Sequence, residues 1–204
     1  IGLDDITYTG PHLENLAKFY EEMGFKQLRQ ALDLSGEEAA PVAIDYTEVE
    51  QVTSDMLTED SFFHFEIFGD NYHTEPIIGF AWGTKGQLYV STDTGLLQTP
   101  IFKEFLEKTP LKVYDFKRAK VLLSHLDITL QNPAFDSRLA KYLLSTVEDN
   151  EISTIASLYS QIALPLDEVV YGKGAKKAIP EKAVLLEHLA RKVAVLLDTE
   201  EPMT

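Results

Sequence analysis

Three features of the sequence predict an α/β domain, a mixed β-sheet flanked by helices. Strand-like segments at 62–68, 77–82 and 87–91 follow one another closely, as antiparallel neighbours do. Short β-prone stretches then alternate with amphipathic runs, and a long apolar stripe closes the chain. Antiparallel strands followed by helix and strand in turn is the order of a mixed sheet with helices packed on it.

The elements read in order as follows. Residues 10–24 place Leu13, Leu16, Phe19, Tyr20 and Met23 at helical spacing, with Pro11 suited to the start and Gly24 to the stop. Residues 33–41 are small, acidic and turn-forming, which reads as a linker. The chain thus divides into a helical segment over 1–34, a linker over 35–40 and a main domain over 41–204. Val42–Val52 alternates apolar and polar residues as a strand does, and a short helix is expected around Ser54–Glu59. Phe62–Phe68 alternates again, with Phe63, Phe65 and Ile67 on one face and His64 and Glu66 on the other. Ile77–Trp82 is nearly all apolar, as in a central strand. Thr84-Lys85-Gly86 then turns the chain into Gln87–Ser91.

Thr99-Pro100 opens an amphipathic helix that Pro110 stops. Leu111–Tyr114 is β-prone, a helix follows over about 116–125, and Ile128–Leu130 reads as another β segment. Helices are expected near 135–146 and 151–160, then a basic Gly-rich loop at Gly172–Lys177. The closing helix carries Leu186, Leu189, Ala190, Val193, Leu196 and Leu197 as one stripe.

Composition narrows the function. The 204 residues are 45% apolar and 25% charged, ordinary for a globular protein. Eighteen basic against 33 acidic residues leave a net charge of −15, which argues against a free-standing nucleic-acid binder. The absence of cysteine excludes disulfides, zinc–thiolate sites and cysteine nucleophiles. No stretch approaches the roughly 18 consecutive apolar residues of a membrane span, so no membrane partner and a cytoplasmic setting are expected. The first residue is Ile1, and both ends read as cut from something longer.

The chemistry-bearing residues are few. His12, His64, His73, His125 and His188 include no i, i+4 pair, so surface or strand-edge positions are expected. Gly172–Lys177 lacks the spacer and the Lys-Ser/Thr ending of a P-loop and reads as a solvated basic loop. Lys173, Lys176 and Lys177, with Arg191, are nonetheless the candidates for touching a nucleic-acid backbone. Asp115 and Asp136 precede helices and read as N-caps. Glu66 is the best strand-borne carboxylate for a two-metal site, although an exposed strand glutamate is the plainer reading.

Several segments together carry a resemblance. Val113-Tyr114-Asp115-Phe116-Lys117-Arg118-Ala119, Asp127-Ile128-Thr129-Leu130, Phe135-Asp136 and Tyr142-Leu143-Leu144 resemble the 3′–5′ exonuclease domain of bacterial DNA polymerase I. Val170–Lys176 and Glu187–Lys192 do so as well, and residues 1–34 look like the stretch that follows the 5′ nuclease part in those polymerases. The resemblance implies a ribonuclease H-like fold. In active members, four carboxylates hold two divalent ions, Mg²⁺ or Mn²⁺. One ion activates the attacking water and the other stabilises the leaving oxygen.

Carried over position by position, the resemblance implies a dismantled site. The strand motif Asp-x-Glu falls on Phe65 and Ile67, or on Glu66 and Phe68 with a shift of one. Counting nine residues back from Ile128 puts Ala119 where an aspartate belongs. The Tyr-x-x-x-Asp motif of the closing helix falls on His188 and Lys192, and Lys192 is a cation placed to pair with Glu66. The implied function is a vestigial exonuclease domain without cofactor or activity of its own, serving as a structural module of a DNA polymerase. Its implied partners are the polymerase domain of the same parent chain and, through it, DNA, with the fragment itself monomeric. The parent would carry out DNA-directed DNA synthesis, a nucleotidyl transfer, in replication and repair. Two other readings stand beside it: a nuclease rearranged around Glu66, Asp70, Asp115 or Asp136, and a module that binds single-stranded DNA or a protein.

Overall fold

The computed structural model describes Phe19 and residues 43–204. The chain divides into two compact units, Ile1–Pro41 and Val42–Thr204. The helix expected over 10–24, His12 and the linker lie outside the described residues except for Phe19, which is helical.

The second unit is built on one sheet with strand order β1-β4-β3-β2-β5-β6. The strands are β1 (Thr47–Glu48), β2 (Phe62–Ile67), β3 (Ile77–Thr84), β4 (Gln87–Ser91), β5 (Lys112–Val113) and β6 (Phe135–Asp136). β2, β3 and β4 run antiparallel, whereas β1 joins β4, and β5 and β6 continue from β2, in parallel. Thr84 pairs with Gln87, so Lys85-Gly86 is a two-residue turn. Gly86 takes a φ of 94° there, a conformation that a side chain would strain.

Helices cover both faces: α1 (Pro100–Lys108), α2 (Phe116–Ser124), α3 (Ser137–Leu144), α4 (Ile152–Tyr159), α5 (Asp167–Tyr171) and α6 (Lys182–Thr199). One core joins Phe63, Phe65 and Ile67 of β2 to Phe80, Trp82, Phe102, Leu106, Leu122 and Leu123. Trp82 Nε1 donates to the Met56 carbonyl at 2.8 Å, which satisfies the one polar atom of a fully buried indole. The other core joins Phe62, Ala81 and Val90 to Ile155 of α4 and to Leu185, Leu189, Val193 and Leu196 of α6. α6 crosses β3 over Gly79, where a Cβ would lie 2.8 Å from Leu189 Cδ1, so the helix approaches closely because no side chain stands between.

Besides β6, which takes the first two residues of the helix expected near 135–146, the elements depart from the sequence reading in three places. Val42–Val52 forms only the two-residue β1, with Val49 N–H donating to the Val90 carbonyl at 2.9 Å. Ile128–Leu130 is not a strand. It pairs with none of the six strands of the sheet. Its alternation arises because Ile128 and Leu130 are buried while Thr129 points outward, after a left-handed Asp127 with φ 56°. The third departure is α5, a short helix whose five residues are too few to show a period.

Candidate functional site

The site lies where the middle of β2 meets α6. Glu66 shares its face of β2 with His64 and Phe62, and that face looks toward α6. Glu66 is 3% exposed, so the exposed-glutamate reading is overturned. Burying an unpartnered carboxylate costs several kcal/mol, about what an ion loses on leaving water, and every lone pair here is answered. Lys192 Nζ donates to Oε2 at 2.5 Å and His64 Nε2 donates to the same oxygen at 3.1 Å. Arg118 donates to Oε1 at 3.4 Å and the Ile67 N–H does so at 3.2 Å.

Asp167, at the start of α5, extends the network. Its carboxylate accepts from His188 Nε2 at 2.8 Å on Oδ1 and from Lys192 Nζ at 3.3 Å on Oδ2, with the ammonium 2.9 Å from Oδ1 as an ion pair. The ammonium of Lys192 is therefore clasped between two carboxylates from different elements. His188 and Lys192 are four residues apart on α6 and so stack on one face. Tyr171 lies against His188 with ring centroids 5.9 Å apart, and its hydroxyl is buried without a partner.

The electrostatics follow from this packing. Burial pushes the Glu66 carboxyl up, but Lys192, the His64 bond and Arg118 outweigh it and hold the group well below the usual carboxylate range. Burial likewise works against the charge on Lys192, and Glu66 and Asp167 overcome it, raising its pKa. Asp167 is opposed by desolvation yet drawn down to about 2 by His188 and Lys192. His64 is pushed below its ordinary value by burial, against the pull of Glu66. A neutral His64 protonated on Nε2 is the species that can donate to Glu66.

Several site residues named from the sequence lie elsewhere. Phe65 and Ile67 point away from Lys192 into the core under α1 and α2, and Ala119 is packed in that same core. The register that put them on the motif is thus on the wrong face of β2. The alternative pairing of Glu66 with Phe68 also fails to give the neighbour, since Phe68 meets Tyr171 edge-on and His64 is the group bonded to Glu66. His64 and His188 are buried rather than at the surface, while His73 and His125 are exposed as expected. Arg191 is 5% exposed and donates to the Ala163 carbonyl and to Glu187, so it offers nothing to a nucleic acid. Lys173, Lys176 and Lys177 do lie on an exposed loop, where Lys173 pairs with Glu168 and Lys177 with Asp70.

Asp115 and Asp136 are the helix caps that their positions suggest. Asp115 Oδ1 accepts from the Arg118 N–H at 3.0 Å at the start of α2, and Asp136 Oδ1 from the Leu139 N–H at 3.1 Å at the start of α3. Asp70 pairs with Lys177 outside the cluster, so these three carboxylates do not converge on Glu66. The residues that sequence reading missed are His64, Arg118 and Asp167. His64 was signalled by strand alternation, being two residues from Glu66, and Arg118 by its place beside Ala119. Asp167 has no local signal, because the fold alone brings it to α6.

A pair of divalent ions does not suit this donor set. Both oxygens of Glu66 are occupied by cationic or N–H donors, and the Lys192 ammonium stands between the two carboxylates that would have to act as ligands. Among the described residues no group of three or more His, Asp or Glu is arranged around a common metal position.

Residues 63–198 match the family described as DNA polymerase I, ribonuclease H-like domain. The sequence is 62% identical to DNA polymerase I of Streptococcus pneumoniae over 98% of this chain, and 46% identical to that of Lactococcus lactis subsp. lactis over 100% of this chain. The chain spans 23% of the length of each of these relatives. Brucella melitensis NrnC superposes with a TM-score of 0.60 at 16% identity, covering 78% of this chain and 77% of that one, a likeness of fold.

Proposed function

The chain belongs to the family of DNA polymerase I ribonuclease H-like domains, and from that premise we propose that it is an exonuclease-like domain that no longer hydrolyses DNA and serves its polymerase as a structural module. The observation that carries this reading is the contact of Lys192 with Glu66 at 2.5 Å inside the cluster. Hydrolysis of a phosphodiester by two metals needs anionic oxygens free to bind cations. Here an internal cation saturates them. His64 and Ala119 add no carboxylate beside Glu66, and the remaining acid, Asp167, is turned to His188 and Lys192.

The parent chain would add nucleotides to a primer in replication and repair, in the bacterial cytoplasm, and would supply the contacts with DNA. The exposed loop Lys173–Lys177 is the part of this domain best placed to assist, since its lysines lie at the surface. No step of catalysis falls to the residues of the cluster. They hold α5 and α6 to the sheet.

The test is a nuclease assay on the parent polymerase with a 3′-labelled single strand and Mg²⁺ or Mn²⁺. No metal-dependent release of nucleotide is expected. Release that disappears in Glu66→Ala would overturn the reading.

A further inference from the structure

The helix α3 is folded inside out. Its inward positions are Ser137 and Lys141, both fully buried, while Leu139, Tyr142, Leu143 and Leu144 are 53–75% exposed and Val147 beyond it is 90% exposed. Leu139, Tyr142 and Leu143 stand at i, i+3 and i+4 and so form one ridge. Helices on a globular surface carry the opposite arrangement, with the apolar stripe on the core.

The orientation is fixed at both ends. At the start, Asp136 caps α3 and also accepts from the Phe116 N–H at 3.0 Å, and Arg138 donates to Asp115 at 2.5 Å. At the end, the buried Lys141 ammonium donates to the Ser145 carbonyl at 3.3 Å and to Glu148 Oε2 at 3.0 Å, and Ser145 Oγ donates to the same oxygen at 2.7 Å. Rotating α3 to hide its leucines would break the bonds of Asp136 to the Phe116 N–H and of Arg138 to Asp115, so these ties to the start of α2 hold the apolar ridge outward.

Building on the reading of this domain as a module of a larger polymerase, we propose that the α3 ridge is the face on which the rest of the same polypeptide docks. An exposed apolar patch with a polar rim marks a protein-interaction surface. About three quarters of each relative lies outside the matched region, so a covalently attached occupant is at hand at high effective concentration. The exposed residues that follow the ridge in sequence are acidic, Glu148, Asp149 and Glu151, and the one exposed cation on α3 next to Leu139, Arg138, is already paired with Asp115. The complementary surface is therefore apolar with lysines or arginines at its border.

The absence of cysteine from this chain makes the test direct. In the full-length polymerase cleared of other cysteines, Leu139→Cys and Leu143→Cys are each compared with Lys85→Cys, on the exposed β3–β4 turn, for reaction with a maleimide. Each rate is normalised to that of the same chain in denaturant. Both ridge positions should react at least about tenfold more slowly than position 85, the protection that a desolvated interface core gives. Equal rates at all three positions would overturn the proposal. Protection lost on dilution would also overturn it, because the occupant would then be a second copy. Nuclease activity measured on the same preparations separates the two readings: release of nucleotide from a chain with a protected ridge removes the inactive centre and keeps the docking face, and equal labelling without release does the reverse.

Discussion

On one side of β2, Phe63, Phe65 and Ile67 meet the aromatic and aliphatic side chains of Phe80, Phe102 and Leu106, and nothing on them needs a partner. On the other side Phe62 shares the strand face with His64 and Glu66, which are just as deeply buried and reach Lys192 and Arg118. Both faces exclude water, but they owe their stability to different forces. The first gains with every apolar area removed from water and is indifferent to pH. The second depends on each charge having its partner, so it is stable as a set and vulnerable one member at a time.

The sharpest way to separate the faces is to injure each once. Phe65→Ala should cost about 3–5 kcal/mol through lost burial and the cavity left behind. Lys192→Met should cost a comparable amount, about 3–5 kcal/mol, because Glu66 and Asp167 lose their shared counter-ion. Urea unfolding at neutral pH measures both. The pH dependence then tells them apart. Without Lys192 the Glu66 carboxyl is held down less, so acid relieves its charge earlier and the gap to the unaltered protein narrows as pH falls. The Phe65→Ala gap should stay constant. A constant gap for Lys192→Met would mean that the ion pair contributes as packing alone. Replacing both members of the pair, Glu66→Leu with Lys192→Met, should cost less than Lys192→Met by itself, since no charge is then left stranded.

Acid should expose the polar face in two stages. The folded value of His64 lies below its ordinary 6.5, so its contribution is present above pH 6.5 and is lost as pH falls through the lower folded value. Glu66, also depressed, contributes fully above its ordinary 4.5 and loses that contribution only as pH falls further. Each proton taken up only by the unfolded chain gives a slope of up to about 1.4 kcal/mol per pH unit. Urea midpoints from pH 8 to pH 3 should decline in that order, and His64→Gln should flatten the first stage. A first stage unchanged in His64→Gln would assign it to another group.

Much of this layout is legible in the sequence, and the failures have physical causes. The period of two over 62–68 separates Phe63, Phe65 and Ile67 from His64 and Glu66 correctly, yet periodicity does not say which face looks toward which helix. Placing the motif on Phe65 and Ile67 follows from that gap. The same gap makes Glu66 look exposed: a polar face of a strand reads as solvated unless the partners that satisfy it are known, and Lys192 is 126 residues away. Caps are local, so Asp115 and Asp136 could be read from the residues that follow them. Ile128–Leu130 misleads for the opposite reason, since a loop that buries alternate side chains carries the pattern of a strand without its hydrogen bonds.

The smallest effect tests whether the polar face is one unit or several. Asp167 bonds to His188 at 2.8 Å and pairs with Lys192 at 2.9 Å, and its carboxyl is drawn down to about 2, but its side chain is 60% exposed. Water and salt screen such a group, so its share is present above the ordinary 3.8 and fades as pH falls toward 2. Asp167→Asn keeps the size of the side chain and one oxygen able to accept from His188. It should cost less than about 1 kcal/mol at neutral pH, and molar salt should erase the difference. Lys192→Met should keep most of its cost in the same salt, because Glu66 is out of reach of the solvent. Should Asp167→Asn instead cost as much as Lys192→Met and resist salt, Asp167 would be an equal member of the buried set, and the boundary between the polar face of β2 and its solvated edge would lie beyond α5.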